Sequence, residues 1–564
     1  MPKTPHLCLL ASFASAFVAL AAFAQQTGKE YQAADKAKSA EPILKNLKPG
    51  TTHQHVMMPM RDGVKLATEV FLPPGPEPWP ALLVRTPYGR FSLDGYAKRI
   101  ADDDVAFVTQ DPRGDGDSEG PPPADPVNNE GEMSDGYDCV EWIARQKWCN
   151  GRVGMFGGSG HGTCARMAFL AKPPHLVVVA AANTAGNTYL HWSFENGVRR
   201  WLYQWLTHRN ARLSEWPKPT LYRYDMARWR QILAEAAKDN KAVLFTDDGW
   251  FNIFGDATLD EFEAFGQTCK VFATVSAKAH GKLDGLKFPS APMPKLDPVP
   301  PFVEILKGAE VRAKSRLVYH VMGDVHDPPR GEARLYGGKT APGNCHRVTH
   351  VWPVPHTPTP FYLHEDGGLR PTPPTDASAA LTYPHDPKNP APTLGGGFSY
   401  SPEGNGALDQ RPLRGRKDIL RFVSEPLTQP LEVVGKLWAE LHASTDAPDT
   451  AFIVKLVDIY PDGYEALIRE AAFMARYWQG LDSPAPLEKG KTYLLRFPLN
   501  SAAIAFNQGH RLGVFITSSS SPAYEVHPNT YEPVMSYDRS PVANNTVHTS
   551  AKYASRIILP VPVP

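Results

Sequence analysis

Short apolar runs at residues 81–85, 105–108, 153–156, 176–179, 242–245 and 271–275 punctuate the first half of the chain. They are rich in valine and show little polar alternation, the pattern of strands covered on both faces in a parallel sheet. Between the second and third runs, Tyr137, Val140, Ile143 and Ala144 recur at helical spacing, which predicts a helix crossing over the sheet. Alternation of this kind specifies an α/β fold. Two stretches interrupt it. In residues 186–240, "RRWLYQWLTHRNARL" and "MARWRQILAEAAK" place aromatic and leucine positions at helical intervals, so an inserted helical cap is expected, with its tryptophans in its core. Residues 289–301 hold six prolines and cannot form regular structure.

Beyond about residue 340 the period shortens to two. Leu437, Ala439, Leu441 and Ala443, then Phe452, Val454 and Leu456, alternate as half-buried antiparallel strands do, and "TDAPDT" and "YPDGYE" supply turns. A β-sandwich or jelly roll is expected there. The organisation predicted is 51–340 for the α/β domain, with its cap at about 186–240, and 341–564 for the β-sandwich; 25–50 is a polar, lysine-bearing lead-in.

The first 24 residues differ from the rest. Lys3 precedes an apolar run at 7–23 that ends in Ala22-Phe23-Ala24, the basic, apolar and small-x-small order of a secretory signal peptide. The run is alanine-rich and shorter than the ~20 residues a spanning helix needs. The mature protein is therefore expected to be exported, periplasmic or secreted, with no membrane insertion after signal removal.

Composition narrows the partners. With 59 basic and 59 acidic side chains in 564 residues, the chain offers no electrostatic footprint for nucleic acid. A small-molecule partner is expected, and a homo-oligomer is compatible with the sequence. Without Cys8, the cysteines are Cys139, Cys149, Cys164, Cys269 and Cys345, an odd number with no CxxC pair, so a metal site has no support. Cys139 and Cys149 could bridge, although Cys139 falls within the predicted helix. Asp135 and Asp138 are read as charges at that helix's N-terminus. The acidic "DPRGDGDSEG" does not have the spacing of a calcium loop.

The densest chemical signal is "FGGSGHG" at 156–162, where four glycines surround Ser159 directly after an apolar run. Such glycines mark either a surface turn or a nucleophile elbow, in which a serine sits on a strained turn between strand and helix.

Several segments together resemble the cocaine-esterase-like and X-Pro dipeptidyl-peptidase hydrolases (CocE/NonD). These are "VMMPMRDGVKLATEVFLP", "VRTPYGR", "TQDPRGDGDSEG", "DGYDCVEWIARQKWCNGRVGMFGGSGHG", "DGWFNIF", "GDVHDPP" and "FNQGHRLGVFITSSSSPAY", in that order from about residue 55 to the end. The resemblance implies an α/β-hydrolase domain with a helical cap, followed by a galactose-binding-like jelly roll, and no cofactor. It makes Ser159 the nucleophile, Gly160 N–H and the Tyr88 hydroxyl the oxyanion donors, and His280 in "VSAKAHG" the general base. The chain order serine, acid, histidine then fits an α/β-hydrolase. The family usually has tyrosine where this chain has Gly160; the backbone donor needs no side chain. His161 is expected to point away from the Ser159 hydroxyl. The "DPRGDGDSEG" segment corresponds to a loop near the active-site mouth.

The acid is the main departure. The family's Gly-Trp-aromatic-Asp turn reads here Gly249-Trp250-Phe251-Asn252. A triad carboxylate fixes the imidazole tautomer and stabilises the imidazolium. An asparagine can orient the ring but not neutralise it, and in a serine protease the Asp-to-Asn change lowers kcat by about 10⁴. Three readings follow. In the first Asp247, Asp248 or Asp256 stands in as the acid; in the second the enzyme works with Asn252 as an orienting group; in the third the protein is catalytically silent and binds a carbohydrate or other small molecule. The expected activity is ester or amide hydrolysis (acyl ester, acyl-amide or dipeptidyl-type) through an acyl-enzyme on Ser159. Ile253-Phe254-Gly255 offers no acidic cluster for a substrate amine, so an apolar acyl group is expected.

Overall fold

The computed structural model describes residues 39–121, 129–200, 225–327, 343–397, 403–531 and 540–563. The signal-peptide reading, most of the lead-in and the "WLYQWLTHRNARL" half of the cap lie outside the described residues.

All six apolar runs are strands of one ten-stranded sheet. Its order is β1 (Thr52–Pro59), β2 (Lys65–Leu72), β4 (Ala106–Gln110), β3 (Trp79–Arg85), β5 (Cys149–Gly158), β6 (Leu176–Ala182), β9 (Val243–Phe251), β10 (Lys270–Ala279), β11 (Arg316–Val321), β12 (Cys345–Thr349). From β4 through β11 every neighbour is parallel, while β1, β2 and β12 pair antiparallel at the edges. Sequential parallel strands need crossovers, and the helices supply them. Helix α1 (Asn129–Ala144) crosses between β4 and β5, and α2 (Gly160–Ala171) packs against it. Leu83, Val108, Val153, Met155 and Val179 are wholly or almost wholly buried between the layers, each worth roughly 1.5–3 kcal/mol against exposure. The sheet runs on to Thr349, past the change in composition near residue 340.

Helix α1 begins six residues before Asp135, which corrects the reading of Asp135 and Asp138 as N-terminal charges. They lie in the body of the helix, where Asp135 pairs with Arg113 at 2.7 Å and Asp138 with Arg61 at 2.6 Å. The polar loop after β4 is likewise an ion-pair frame: Arg90 reaches Glu69, Asp111 and Asp117. The five described cysteines are all buried, and no disulfide joins any two of them.

What the structure describes of the cap is a π-helical turn (Thr188–Ser193), a two-residue hairpin of β7 (Phe194–Glu195) and β8 (Val198–Arg199), and helix α3 (Met226–Ala236). Residues 289–301 have no regular structure, as the prolines dictate.

The second half is a sandwich of antiparallel sheets. The larger runs β14 (Leu369–Arg370), β13 (His356–Leu363), β23 (Arg556–Pro562), β17 (Leu431–Thr445), β22 (Ala543–His548), β15 (Ala380–His385), with β20 (Tyr493–Phe506) also on β17. The smaller runs β16 (Leu420–Val423), β21 (Arg511–Thr517), β18 (Ala451–Ile459), β19 (Glu465–Met474). In β17 the odd positions from Leu437 to Ala443 are buried and the even ones half-buried, as the alternation predicts. β18 departs from that expectation because all nine of its residues are buried. Its polar members are neutralised inside: Lys455 by Glu470 at 3.4 Å, and Asp458 by His510 at 2.8 Å. "YPDGYE" closes the β18–β19 hairpin, with Gly463 at φ 86°.

Candidate active site

Ser159 stands between β5 and α2 with φ 55° and ψ −129°, a conformation that costs a non-glycine residue energy and persists only where its surroundings enforce it. The enforcement is visible. Ser159 N–H donates to Ala182 O at 3.0 Å, and the Thr184 hydroxyl donates to the Ser159 carbonyl at 2.5 Å. The glycines around it are there for space: a Cβ on Gly157 would sit 2.4 Å from the His161 carbonyl carbon. "FGGSGHG" is thus an elbow, and the surface-turn alternative falls.

Tyr88 follows β3 and brings its hydroxyl to 3.3 Å from Ser159 Oγ, while Gly160 N–H donates to Tyr88 Oη at 3.2 Å. The two predicted oxyanion donors therefore converge beside the serine. A Cβ on Gly160 would lie 2.8 Å from both Tyr88 Oη and Pro87 Cγ, so the missing side chain at this position makes room for Tyr88. His161 is turned to the Gly158 carbonyl, 3.1 Å from its Nδ1, and its ring packs on Tyr88 and Tyr96. No hydrogen bond joins it to Ser159, and burial pushes its pKa down.

His280 follows the end of β10, with its ring edge-on to Phe254 at 5.6 Å. Its Nδ1 is buried and makes no hydrogen bond. Burial, then the Lys278 charge, push its pKa below the ordinary histidine value, which favours the neutral ring a base requires. No hydrogen bond joins His280 to Ser159 or to Asn252.

The acid turn follows from its end of β9. Asn252 Nδ2 donates to Asp248 Oδ1 at 2.7 Å and to Asn183 Oδ1 at 3.4 Å. Asp248 also accepts from Gly249 N–H at 2.8 Å, and its second oxygen is buried without a partner. Burial raises its pKa to about 7, against the opposing pull of Arg166. The other two carboxylates are engaged elsewhere. Asp247 forms an ion pair with Lys278, and Asp256 takes the Ser501 amide of β20 at 3.1 Å. No group of three or more metal-ligating side chains occurs among the described residues.

A cleft adjoins this turn. Asn252 and Ile253 form one wall, Glu195 and Arg200 of the cap a second, and Arg469 and Tyr524 of the sandwich a third. Its lining is largely polar in residue type and shares Asn252 with the acid turn. Sequence reasoning missed Glu195, Arg200, Arg469 and Tyr524. The available signal was "EALIREAAFM", in which charged residues occupy a strand whose every position is buried.

Residues 62–257 match the X-Pro dipeptidyl-peptidase (S15 family), and residues 323–558 match the X-Pro dipeptidyl-peptidase C-terminal non-catalytic domain. The chain is 28% identical to the cocaine esterase of Rhodococcus sp. (strain MB1 Bresler) over 580 aligned residues, covering 90% of this chain and 98% of that protein. An α-amino acid ester hydrolase has the same fold, with a TM-score of 0.70 at 24% identity, covering 91% of this chain and 96% of that one. So does an aminopeptidase from a marine sediment archaeon (Thaumarchaeota archaeon), with a TM-score of 0.70 at 23% identity, covering 92% and 97%. With a serine elbow at the end of β5 in the hydrolase sheet and a β-rich jelly roll in the second half, the chain is a serine hydrolase and belongs to the cocaine-esterase-like and X-Pro dipeptidyl-peptidase (CocE/NonD) family.

Proposed function

We propose that the chain is an exported serine hydrolase that cleaves an ester or amide of a small molecule through an acyl-enzyme on Ser159. The observation that carries this reading is the strained Ser159 with Tyr88 Oη 3.3 Å from its hydroxyl and Gly160 N–H beside it. In the first half-reaction His280 takes the Ser159 proton as Oγ bonds to the substrate carbonyl carbon. The Tyr88 O–H and Gly160 N–H then hold the oxyanion. The tetrahedral intermediate collapses as His280 returns the proton to the leaving group, and a water repeats the sequence on the acyl-enzyme.

Asp248 supplies the missing charge through Asn252. By taking the Asn252 NH₂, it leaves the amide carbonyl as the end available to the His280 Nδ1–H, which selects the tautomer that general-base catalysis needs. Asp247 and Asp256 already serve Lys278 and Ser501. Export rests on the composition of residues 1–24 and places the enzyme in the periplasm or outside the cell.

The alternative, a silent family member that binds a small molecule or carbohydrate, draws on the unpartnered His280 Nδ1. A fluorophosphonate probe separates the two. Covalent labelling of the mature protein that disappears in Ser159→Ala supports hydrolysis; a folded protein that does not label leaves only the binding role.

A further inference from the structure

Arg469 sits on β19 and is 8% exposed, yet no carboxylate lies within ion-pair distance of it among the described residues. Its Nε–H donates to the Ser501 carbonyl at 2.6 Å, and its guanidinium stacks over Trp250 at 5.6 Å. These two contacts fix the plane of the group and use one of its five N–H donors. Arg469 lines the cleft together with Asn252 and Ile253.

The two carboxylates that line the cleft, Glu195 and Glu470, are already paired. Glu195 is taken by Arg200 at 3.1 Å, with Asn500 and the Tyr524 hydroxyl also donating to it. Glu470 is taken by Lys455 at 3.4 Å and by the Ser520 hydroxyl at 3.0 Å. Among the described residues that line the cleft, Arg469 is thus the cation without an ion-pair partner. Burying it without a counter-ion is costly, and burial lowers the Arg469 pKa to about 10 although Asp256, Glu195 and Asp248 oppose this from further off. A planar fork of donors held rigid at a cleft wall matches a carboxylate.

We infer that Arg469 is a substrate-binding residue that recognises a free carboxylate on the acyl part of the ester or amide. The substrates of the Ser159 site are then acyl groups with an acidic far end, and the charge of the ligand completes the pairing that the protein leaves open. The inference rests on the hydrolase reading only for its kinetic consequences.

Two measurements on the full mature chain test it. In the first, adipate is titrated calorimetrically into Ser159→Ala, where no turnover is needed. Binding is expected, weakened about tenfold in Ser159→Ala/Arg469→Lys and further in Ser159→Ala/Arg469→Gln. In the second, kcat/KM for the mono-4-nitrophenyl ester of adipic acid is divided by that for 4-nitrophenyl hexanoate, which carries a methyl in place of the carboxylate. Arg469→Gln is expected to lower that ratio by about tenfold or more. Arg469→Lys, which keeps the charge and packing but loses the fork, is expected to lower it less. Adipate that fails to bind, or that binds the Arg469 variants as well as the parent, overturns the inference while leaving the hydrolase reading intact. Arg469-dependent adipate binding in a protein that turns over neither ester supports the inference and removes the hydrolase reading instead.

Discussion

Asn252 Nδ2 lies 2.7 Å from Asp248 Oδ1, so the residue that stands in the place of a triad carboxylate is itself held by a carboxylate. The usual defect of an asparagine there is that either end of its amide can face the imidazole. Asp248 removes the ambiguity by binding the nitrogen end. Replacing Asp248 with Asn frees the amide to rotate, and kcat/KM on a 4-nitrophenyl ester is expected to fall by roughly 10²–10⁴. Asn252→Asp alone is expected to give no gain, because two carboxyls at that separation share one proton. The double variant Asp248→Asn/Asn252→Asp restores one ionised acid next to His280, and its rate is expected to exceed that of either single variant.

The same carboxyl sets a pH dependence. Its pKa is raised to about 7, so its charge is present above that pH and is lost as pH falls through it. Burial and the Lys278 charge push the His280 pKa below its ordinary 6.5, which favours the free base. The kcat/KM profile is expected to rise through about pH 7, and Asp248→Asn should remove that limb. Stability runs the other way. An acid whose folded pKa is raised from 3.8 holds its full stabilisation below pH 3.8 and loses it as pH climbs to about 7. Asp248→Asn is therefore expected to raise the Tm at pH 8, read by calorimetry.

Tyr88 tests the oxyanion site separately from the base. Tyr88→Phe keeps the ring against His161 and removes the hydroxyl. A fall in kcat of about 10²–10³ is expected, the size of one lost oxyanion donor. KM should change much less if the donor acts on the transition state.

At Gly160 a single methyl is enough to disturb that site. The added Cβ of Gly160→Ala would stand 2.8 Å from Tyr88 Oη, so the ring must move. A drop in kcat of about tenfold or more is expected with an unchanged fold by circular dichroism.

His510 joins the two halves of the molecule, lying 2.8 Å from Asp458 of β18 and 3.2 Å from Asp324, which follows the end of β11. Burial opposes its charge, but the two carboxylates outweigh it and raise its pKa above 6.5. The ordinary sign for a raised histidine follows: its stabilisation is full below pH 6.5 and is lost as pH rises through the folded pKa. Tm is expected to fall over that window in the parent, and His510→Gln should flatten the slope.

The strands of the hydrolase sheet could be read from the chain because a strand buried on both faces must be apolar along its whole length. The elbow could be read because close packing at Gly157 excludes a Cβ. Helix α1 was legible in its second half and not at its start, since residues 129–136 are polar and glycine-bearing. β18 looked half-buried because Lys455 and Asp458 are charged, and only tertiary pairing with Glu470 and His510 shows that both faces are covered. The Asp248 to Asn252 contact was within reach as an i,i+4 pair, but which end of the amide it binds depends on three-dimensional geometry. Arg469 belongs to a strand far along the chain, and nothing in its local sequence says that it reaches the acid turn.

The cleft is walled on one side by the sandwich, and Gly397, from the loop after β15, lies close enough to the acid turn that a Cβ there would be 3.1 Å from Ile253 N. Both halves of the chain therefore meet at this cleft, Asn252, Ile253, Glu195 and Arg200 from the first and Gly397, Arg469 and Tyr524 from the second. Substitutions in the later half can reshape one wall of that cleft while the serine, its donors and its base stay untouched. The same arrangement means that a prematurely terminated product carries the reactive serine without that wall.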